Sequence, residues 1–161
     1  MADTNLAHGL DDLDRRILGQ LQQDCSLSNL DLAARVHASP PTCLRRVRKL
    51  MQSGLILRQV ALLDPARLGA ALTVIIEVSL DAQAAAQLDA VEAGLISEPA
   101  VQQCYRVSSG PDFVLVAQVA DMAAYQDLAI RRLTGDPRIR NVRSFFATAR
   151  SKFDPSIPIV D

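Results

Sequence analysis

The spacing of hydrophobic residues changes along this 161-residue chain, close to Asp64. Up to residue 54, apolar residues recur every three or four positions, as they do on one face of an α-helix. After Ala70 they alternate with other residues in short runs, which is typical of half-buried β-strands. This order predicts an α+β protein with a helical first part and a mixed second part. Because Asp64-Pro65 is turn chemistry, we expect domains at 1–64 and 65–161.

Two helices are predicted at the start of the chain. The first covers residues 10–24 and carries acidic residues in its first turn, where they complement the helix dipole. The second covers residues 27–36, with Ser28 or Asn29 as its N-terminal cap. One side of this second helix is predicted to consist of Leu30, Ala33 and Val36.

A third helix follows after a break of three residues, 37–39. Ser39 is its predicted N-cap, and Pro40 takes the first helical position, where its missing N–H would have had no partner. Gly54 ends this helix. Two helices joined by a short turn, the second facing outward, form a helix-turn-helix. The alternating run at residues 55–63 is predicted to be a strand beside it.

The third helix contains basic residues and no acidic residue. No acidic residue lies between Asp31 and Asp64, although the whole chain has a net charge of −1. The cations of this stretch are Arg35, Arg45, Arg46, Arg48, Lys49 and Arg58. A solvated helix face is the alternative, but such faces usually mix both signs and form i,i+4 pairs. We therefore predict that this helix binds the phosphates of double-stranded DNA.

The predicted DNA contacts lie at the start of the third helix and along its outward side. A rotation of 100° per residue places Thr42, Arg45 and Lys49 outermost, and Thr42 and Arg45 are assigned to base edges. Arg48, Lys49 and Arg46 are assigned to phosphates, with an intramolecular contact as the alternative for Arg46. The complete predicted set is Ser39, Pro41, Thr42, Arg45, Arg46, Arg48 and Lys49.

The second part of the chain predicts the order βαββαβ. The strands are expected at 70–80, 101–107, 113–119 and 141–148, and the helices at 81–94 and 121–133. This order is typical of a ferredoxin-like fold, whose antiparallel sheet has helices on one face only. The free face includes Thr73 and Ile75 or their alternates on the first strand and part of residues 142–148 on the last, and it is too apolar to stay fully in water. We therefore expect this half to form at least a homodimer.

Other classes of protein are not favoured. Cys25, Cys43 and Cys104 are widely separated and suggest neither a disulfide framework nor a zinc site, and His8 and His37 lack ligand-like neighbours. No nucleophile–base pair or glycine-rich phosphate loop indicates an enzyme. No apolar run approaches the roughly 20 residues of a membrane span, and the N-terminus lacks a signal-peptide pattern. We expect a cytoplasmic protein that needs no metal or cofactor.

Several ordered motifs resemble those of the leucine-responsive regulatory protein/AsnC family, the feast/famine regulators of bacteria and archaea. They lie at residues 10–24, 38–50, 54–56, 62–69, 104–115 and 152–159. The resemblance implies a sequence-specific transcriptional regulator of amino-acid-related metabolism. Its N-terminal winged helix-turn-helix would bind operator DNA, and its C-terminal RAM/ACT-like domain would sense a small molecule, usually an amino acid. Members commonly form dimers that associate into octamers or related rings.

The resemblance also places the effector at a subunit boundary, against the loop between the second and third strands. The residues implied are Ser108, Ser109, Gly110, Pro111 and Asp112, with Ser144 on the last strand. Asp112 falls on the family's aspartate, whereas Ser109 stands where the family has glycine. Asp112 has two interpretations: its carboxylate takes the ligand's ammonium group, or it only organises the turn. Besides an enzyme, the functional alternative is an amino-acid-sensing assembly module that acts on an enzyme partner without binding DNA.

Overall fold

The computed structural model describes residues 9–159, which form two compact units. The first unit consists of residues 9–62 and 152–159, and the second is Leu63–Ser151. The division therefore differs from the expected 1–64 and 65–161 in the C-terminal tail, which groups with the first unit. His8 lies outside the described residues.

The first unit contains three helices close to their predicted positions. They are α1 (Asp12–Gln23), α2 (Asn29–Arg35) and α3 (Pro40–Gln52). A capping box begins α1: the side chain of Asp11 accepts the backbone N–H of Asp14, and the side chain of Asp14 accepts that of Asp11. Ser28, the first of the two predicted caps, begins α2.

Two residues with positive φ mark the ends of α2 and α3. His37 has φ 54° in the turn between them, which falls in the break predicted at residues 37–39. Gly54, with φ 77°, ends α3 as predicted, and the N–H of Ile56 bonds back to the carbonyl of Leu50 at 3.2 Å. These turns fix α3 relative to the chain before and after it.

The core of the first unit lies between the three helices. Its fully buried hydrophobic residues are Ile17, Leu32, Ala33, Val36, Cys43 and Leu50. The prediction for Leu30 was wrong, because its side chain is 68% exposed. Leu32, Ala33 and Val36 form the inward stripe, and the helical rotation carries Leu30 beyond its edge. Burial raises the pKa of the Cys43 thiol, as expected for a core cysteine.

The strand predicted at residues 55–63 is absent from the described structure, where this segment is irregular. The other described elements of the first unit are helices, so no strand of that unit is available to pair with it. A strand requires such a partner for its backbone groups. Alternation alone therefore predicted the wrong conformation, and Leu57 is 90% exposed.

The tail returns to the first unit through α1. The side-chain amide of Gln22 donates to the carbonyl of Ile157 at 3.1 Å and accepts its N–H at 2.7 Å. Asp154 shapes the preceding turn by accepting the N–H and hydroxyl of Ser156. The tail is thus held by a pair of hydrogen bonds between the Gln22 side chain and the backbone of Ile157.

The second unit has the predicted βαββαβ order. Its elements are β1 (Leu72–Leu80), α4 (Ala85–Ile96), β2 (Val101–Arg106), β3 (Phe113–Val119), α5 (Met122–Arg132) and β4 (Ile139–Phe146). The strands lie in the order β2-β3-β1-β4 with antiparallel neighbours, which confirms the ferredoxin-like fold. Among residues 9–159, no helix is long and apolar enough to cross a membrane.

The core of this unit lies between the sheet and its two helices. Alternate residues of β1 point into it, and Val74, Ile76 and Val78 are fully buried. Leu128 of α5 and Leu95 of α4 pack against them. Within the second unit, neither described helix covers the opposite face of the sheet, as the sequence predicted.

Candidate DNA-binding surface and effector loop

Helix α3 has buried apolar residues on one side and exposed basic residues on another. Cys43 and Leu50 are buried against the other helices. Arg45, Arg48 and Lys49 are exposed, and we call them the outward cations of α3. Within residues 9–159, none of the three has a carboxylate partner. Their charges are therefore available to an anionic ligand.

The start of α3 offers hydroxyl groups instead of a side-chain cap. Ser39 occupies the N-cap position, but its hydroxyl donates to the hydroxyl of Thr42 at 2.8 Å. Pro40 and Pro41 have no N–H to offer. The side-chain amide of Asn29 donates to the carbonyl of Pro40 at 3.0 Å, which holds the start of α3 against α2. The predicted residues 39, 41 and 42 thus lie together at this helix end.

Arg46 differs from the outward cations because it makes the intramolecular contact that was its alternative role. Its Nη1 lies 2.7 Å from Oδ2 of Asp11 and 3.1 Å from Oδ2 of Asp14. Asp14 is only 2% exposed. The backbone N–H of Asp14 lowers the pKa of the Asp11 carboxyl, and Arg46 adds to that effect. Within residues 9–159, three of the four cations of α3 therefore have no carboxylate partner.

Asp112 lies at the end of the predicted effector loop and is 8% exposed. Its Oδ2 accepts the backbone N–H of Leu80 at 2.7 Å, and its Oδ1 accepts the side-chain amide of Gln83 at 2.9 Å. Its own N–H donates to the carbonyl of Val78 at 2.9 Å. The carboxylate therefore ties the loop to the end of β1 and to the segment before α4.

The rest of the loop faces outward. Ser108, Ser109 and Gly110 are exposed, while Pro111 is partly buried. Gly110 has φ 91°, a conformation that side chains rarely adopt. The glycine of this loop is thus needed at position 110, one place after Ser109.

Ser144 lies apart from the loop within one protomer. It pairs with Ile76 of β1, and β1 separates β4 from β3, which follows the loop. The Ser144 hydroxyl forms a hydrogen bond with that of Tyr125 on α5. The structure therefore brings the five loop residues together but not Ser144.

A cleft of about 290 Å³ occurs elsewhere in this unit. It is lined by Thr73 and Gln118, among others. These two residues pair near the start of β1, whereas Asp112 contacts the end of that strand. The cleft is therefore distinct from the predicted effector loop.

The free face of the sheet carries a row of apolar side chains. Ile75 is 42% exposed and pairs with Val116 on one side and Phe145, 44% exposed, on the other. An ion pair between Glu77 and Arg143 borders this row at 3.3 Å. The row is continuous across three strands.

Comparison with known families supports both halves of this description. A winged helix-turn-helix DNA-binding model matches residues 10–56, and the Lrp/AsnC ligand binding domain matches residues 73–157. The chain belongs to the Lrp/AsnC family. It is a ligand-responsive, DNA-binding transcriptional regulator, and the alternative of a sensing module without DNA binding is not favoured.

Curated and solved Lrp/AsnC relatives match almost the whole chain. The leucine-responsive regulatory protein of Rhizobium meliloti is 38% identical over 89% of this chain and 92% of its own length. The Agrobacterium tumefaciens AsnC family regulator has a TM-score of 0.86 at 35% identity, covering 93% of this chain and 97% of that one. A Neisseria meningitidis regulator, solved as a complex with L-methionine, has a TM-score of 0.88 at 30% identity, with the same coverage.

Sequence reasoning missed the partners of several residues in this Lrp/AsnC regulator. Gln83 and the Leu80 N–H hold Asp112, and Tyr125 holds the Ser144 hydroxyl. These are contacts between distant segments, and no local pattern signals them. For Arg46 a signal did exist, because acids in the first turn of α1 are potential partners for a cation on the inner side of α3.

Proposed function

We propose that this regulator binds operator DNA through the outward cations and the first turn of α3, and that an amino acid changes this binding. In this proposal it acts as a cytoplasmic regulator and not as an enzyme. The observation that carries the proposal is which cations of α3 are exposed and which form ion pairs. Arg45, Arg48 and Lys49 are exposed and unpaired within residues 9–159, whereas Arg46 is held by Asp11 and Asp14.

The outward cations would make different DNA contacts according to their positions on α3. Arg45 lies near the start of α3 beside Thr42, where a helix in the major groove reaches base edges. Its guanidinium can donate two hydrogen bonds to guanine. Arg48 and Lys49 lie further along the helix and would hold phosphates. A mobility-shift assay on the protein's own upstream region, with and without amino acids, tests the proposed function as a whole.

Lys49→Ala is expected to weaken binding to all double-stranded DNA by a similar factor, because an ammonium–phosphate contact carries no sequence information. In a plot of log affinity against log salt concentration, the magnitude of the slope should fall by about 0.9. Arg140→Ala, which removes one exposed charge from β4, is the matched control. An unchanged slope in Lys49→Ala would remove this residue from the interface.

The effector is proposed to bind at the loop of residues 108–112. Two observations support an amino acid: the match to the Lrp/AsnC ligand binding domain, and the L-methionine complex of the Neisseria relative. Ser109 and Gly110 are exposed residues, and their backbone N–H groups would suit a carboxylate. In this proposal Asp112 acts by holding the loop, since both of its oxygens already accept hydrogen bonds. Ser144 would join the site only from another protomer.

The free face of the sheet is proposed to bind a second copy of the chain, and the dimers to associate further into octamers or related rings. The row of Ile75, Val116 and Phe145 is apolar and partly exposed. Pairing with a copy of itself removes this row from water. A dimer also presents two copies of α3 to two half-sites, which increases specificity.

Ile75→Lys is expected to dissociate the dimer, because it places a charge at the centre of the proposed interface. Ile130→Lys is the matched control, since Ile130 is 65% exposed but belongs to α5 on the other side of the sheet. Sedimentation equilibrium measures both masses. A monomeric wild type, or a dimer lost in Ile130→Lys and kept in Ile75→Lys, would contradict the assignment.

A further inference from the structure

Arg46 occupies an unusual place for a cation of a DNA-binding helix. It follows the buried residue Cys43 by three positions and precedes the buried residue Leu50 by four, so it lies on the inner side of α3. Its side chain is 22% exposed. Its Nε is buried without a hydrogen-bond partner in the described part of the chain. The guanidinium is therefore turned towards α1 and not towards the surface of the outward cations.

The two carboxylates that bind Arg46 also form the capping box at the start of α1. Asp11 uses Oδ1 to accept the N–H of Asp14, and its Oδ2 remains for Arg46 at 2.7 Å. Asp14 is nearly inaccessible to solvent, and both of its oxygens lie within 3.3 Å of the Nη1 of Arg46. A buried carboxylate requires such a partner. We call these three residues the Arg46 clasp.

We infer that Arg46 is a positioning residue for DNA recognition: the clasp fixes the orientation of α3 against α1, and so sets where the outward cations meet the duplex. The inference rests on the proposed function of α3. Apolar packing is non-directional, whereas charge-assisted hydrogen bonds of a guanidinium are directional.

Loss of the clasp should most affect the DNA contacts that tolerate the least change in distance and angle. A hydrogen bond to a base edge weakens steeply when its angle or distance changes. A contact between a flexible cation and a phosphate tolerates small displacements. Loss of the clasp should therefore reduce the preference for the operator over other DNA, while the number of phosphate contacts stays the same.

The test compares full-length wild type with Arg46→Gln, Arg46→Lys, Asp11→Asn and Lys49→Ala. Affinity is measured by fluorescence anisotropy over a range of salt concentrations, for an operator duplex from the protein's own upstream region and for a scrambled duplex of equal composition. Circular dichroism selects a temperature at which each variant is folded. Asp11→Asn protects the test if Arg46→Gln does not fold, because asparagine caps a helix as well as aspartate does.

We expect Arg46→Gln to lose roughly tenfold in operator preference with an unchanged salt slope. Arg46→Lys should recover part of that preference. Asp11→Asn should also lower the operator preference. If only the lost negative charge mattered, this variant would instead bind both duplexes more tightly by the same factor.

Two results would overturn the inference. A folded Arg46→Gln or Asp11→Asn with full operator preference would make the clasp a purely stabilising contact. A fall in salt slope in Arg46→Gln equal to that in Lys49→Ala would make Arg46 a phosphate ligand. A different pattern, in which wild type does not prefer the operator or Lys49→Ala binds like wild type, would instead contradict the proposed function of α3.

Discussion

Arg45→Ala is expected to weaken binding to the operator by about 1–3 kcal/mol and to relax the sequence preference at the base that Arg45 contacts. Arg45 is exposed near the start of α3 and has no acidic partner within residues 9–159. Its planar guanidinium can take the two acceptors of a guanine edge together. Alanine removes both hydrogen bonds, so operator binding should fall by more than binding to unrelated DNA.

Arg45→Lys separates charge from shape. Lysine keeps the positive charge but lacks the two-pronged donor geometry of arginine. We expect this variant to retain binding to unrelated duplexes and to lose most of the operator preference. Competition assays with duplexes substituted at single base pairs measure both quantities. If Arg45→Ala lost the same factor in affinity for every duplex, Arg45 would be a phosphate contact.

Asp112→Ala is expected to destabilise the second unit by about 1–3 kcal/mol, because it leaves the buried N–H of Leu80 without its acceptor. Gln83 loses a partner as well. The loop of residues 108–112 would then lose the two side-chain bonds of Asp112 to Leu80 and Gln83, and effector binding should disappear with them. Urea denaturation measures the loss of stability, and calorimetry with a panel of amino acids measures binding.

Asp112→Asn distinguishes the two interpretations of this residue. An asparagine oxygen can still accept the Leu80 N–H, and its amide can donate to the side-chain oxygen of Gln83 after that side chain turns. We expect this variant to remain folded and to retain effector binding, since Asp112 organises the loop. Loss of binding in a folded Asp112→Asn would show that the negative charge itself takes the ligand's ammonium group.

Local patterns predicted the elements of this protein well, because each is determined by nearby residues. The cap at Ser28, the glycine stop at Gly54 and the alternation along β1 all have local physical causes. The order of those elements then left few topologies for the second unit. The ferredoxin-like sheet was predictable for this reason.

The errors and omissions concern interactions between distant residues. The segment at 55–63 has the alternation of a strand, but no strand of the first unit lies beside it. The carboxylate of Asp112 is occupied by Leu80 and Gln83, which lie about 30 positions earlier in the chain. Helical geometry placed Arg46 at the flank of the basic face, and only the packing of α1 against α3 shows its partners.

The return of the tail to Gln22 has a consequence for how the protein is made. The ribosome synthesises α1 early, yet Gln22 and Ile157 are 135 positions apart in the chain. Domains usually fold in the order of their synthesis, but the first unit here can be completed only after the second has been translated. A premature stop after Ser151 would spare every strand of the sheet and still remove part of the DNA-binding unit.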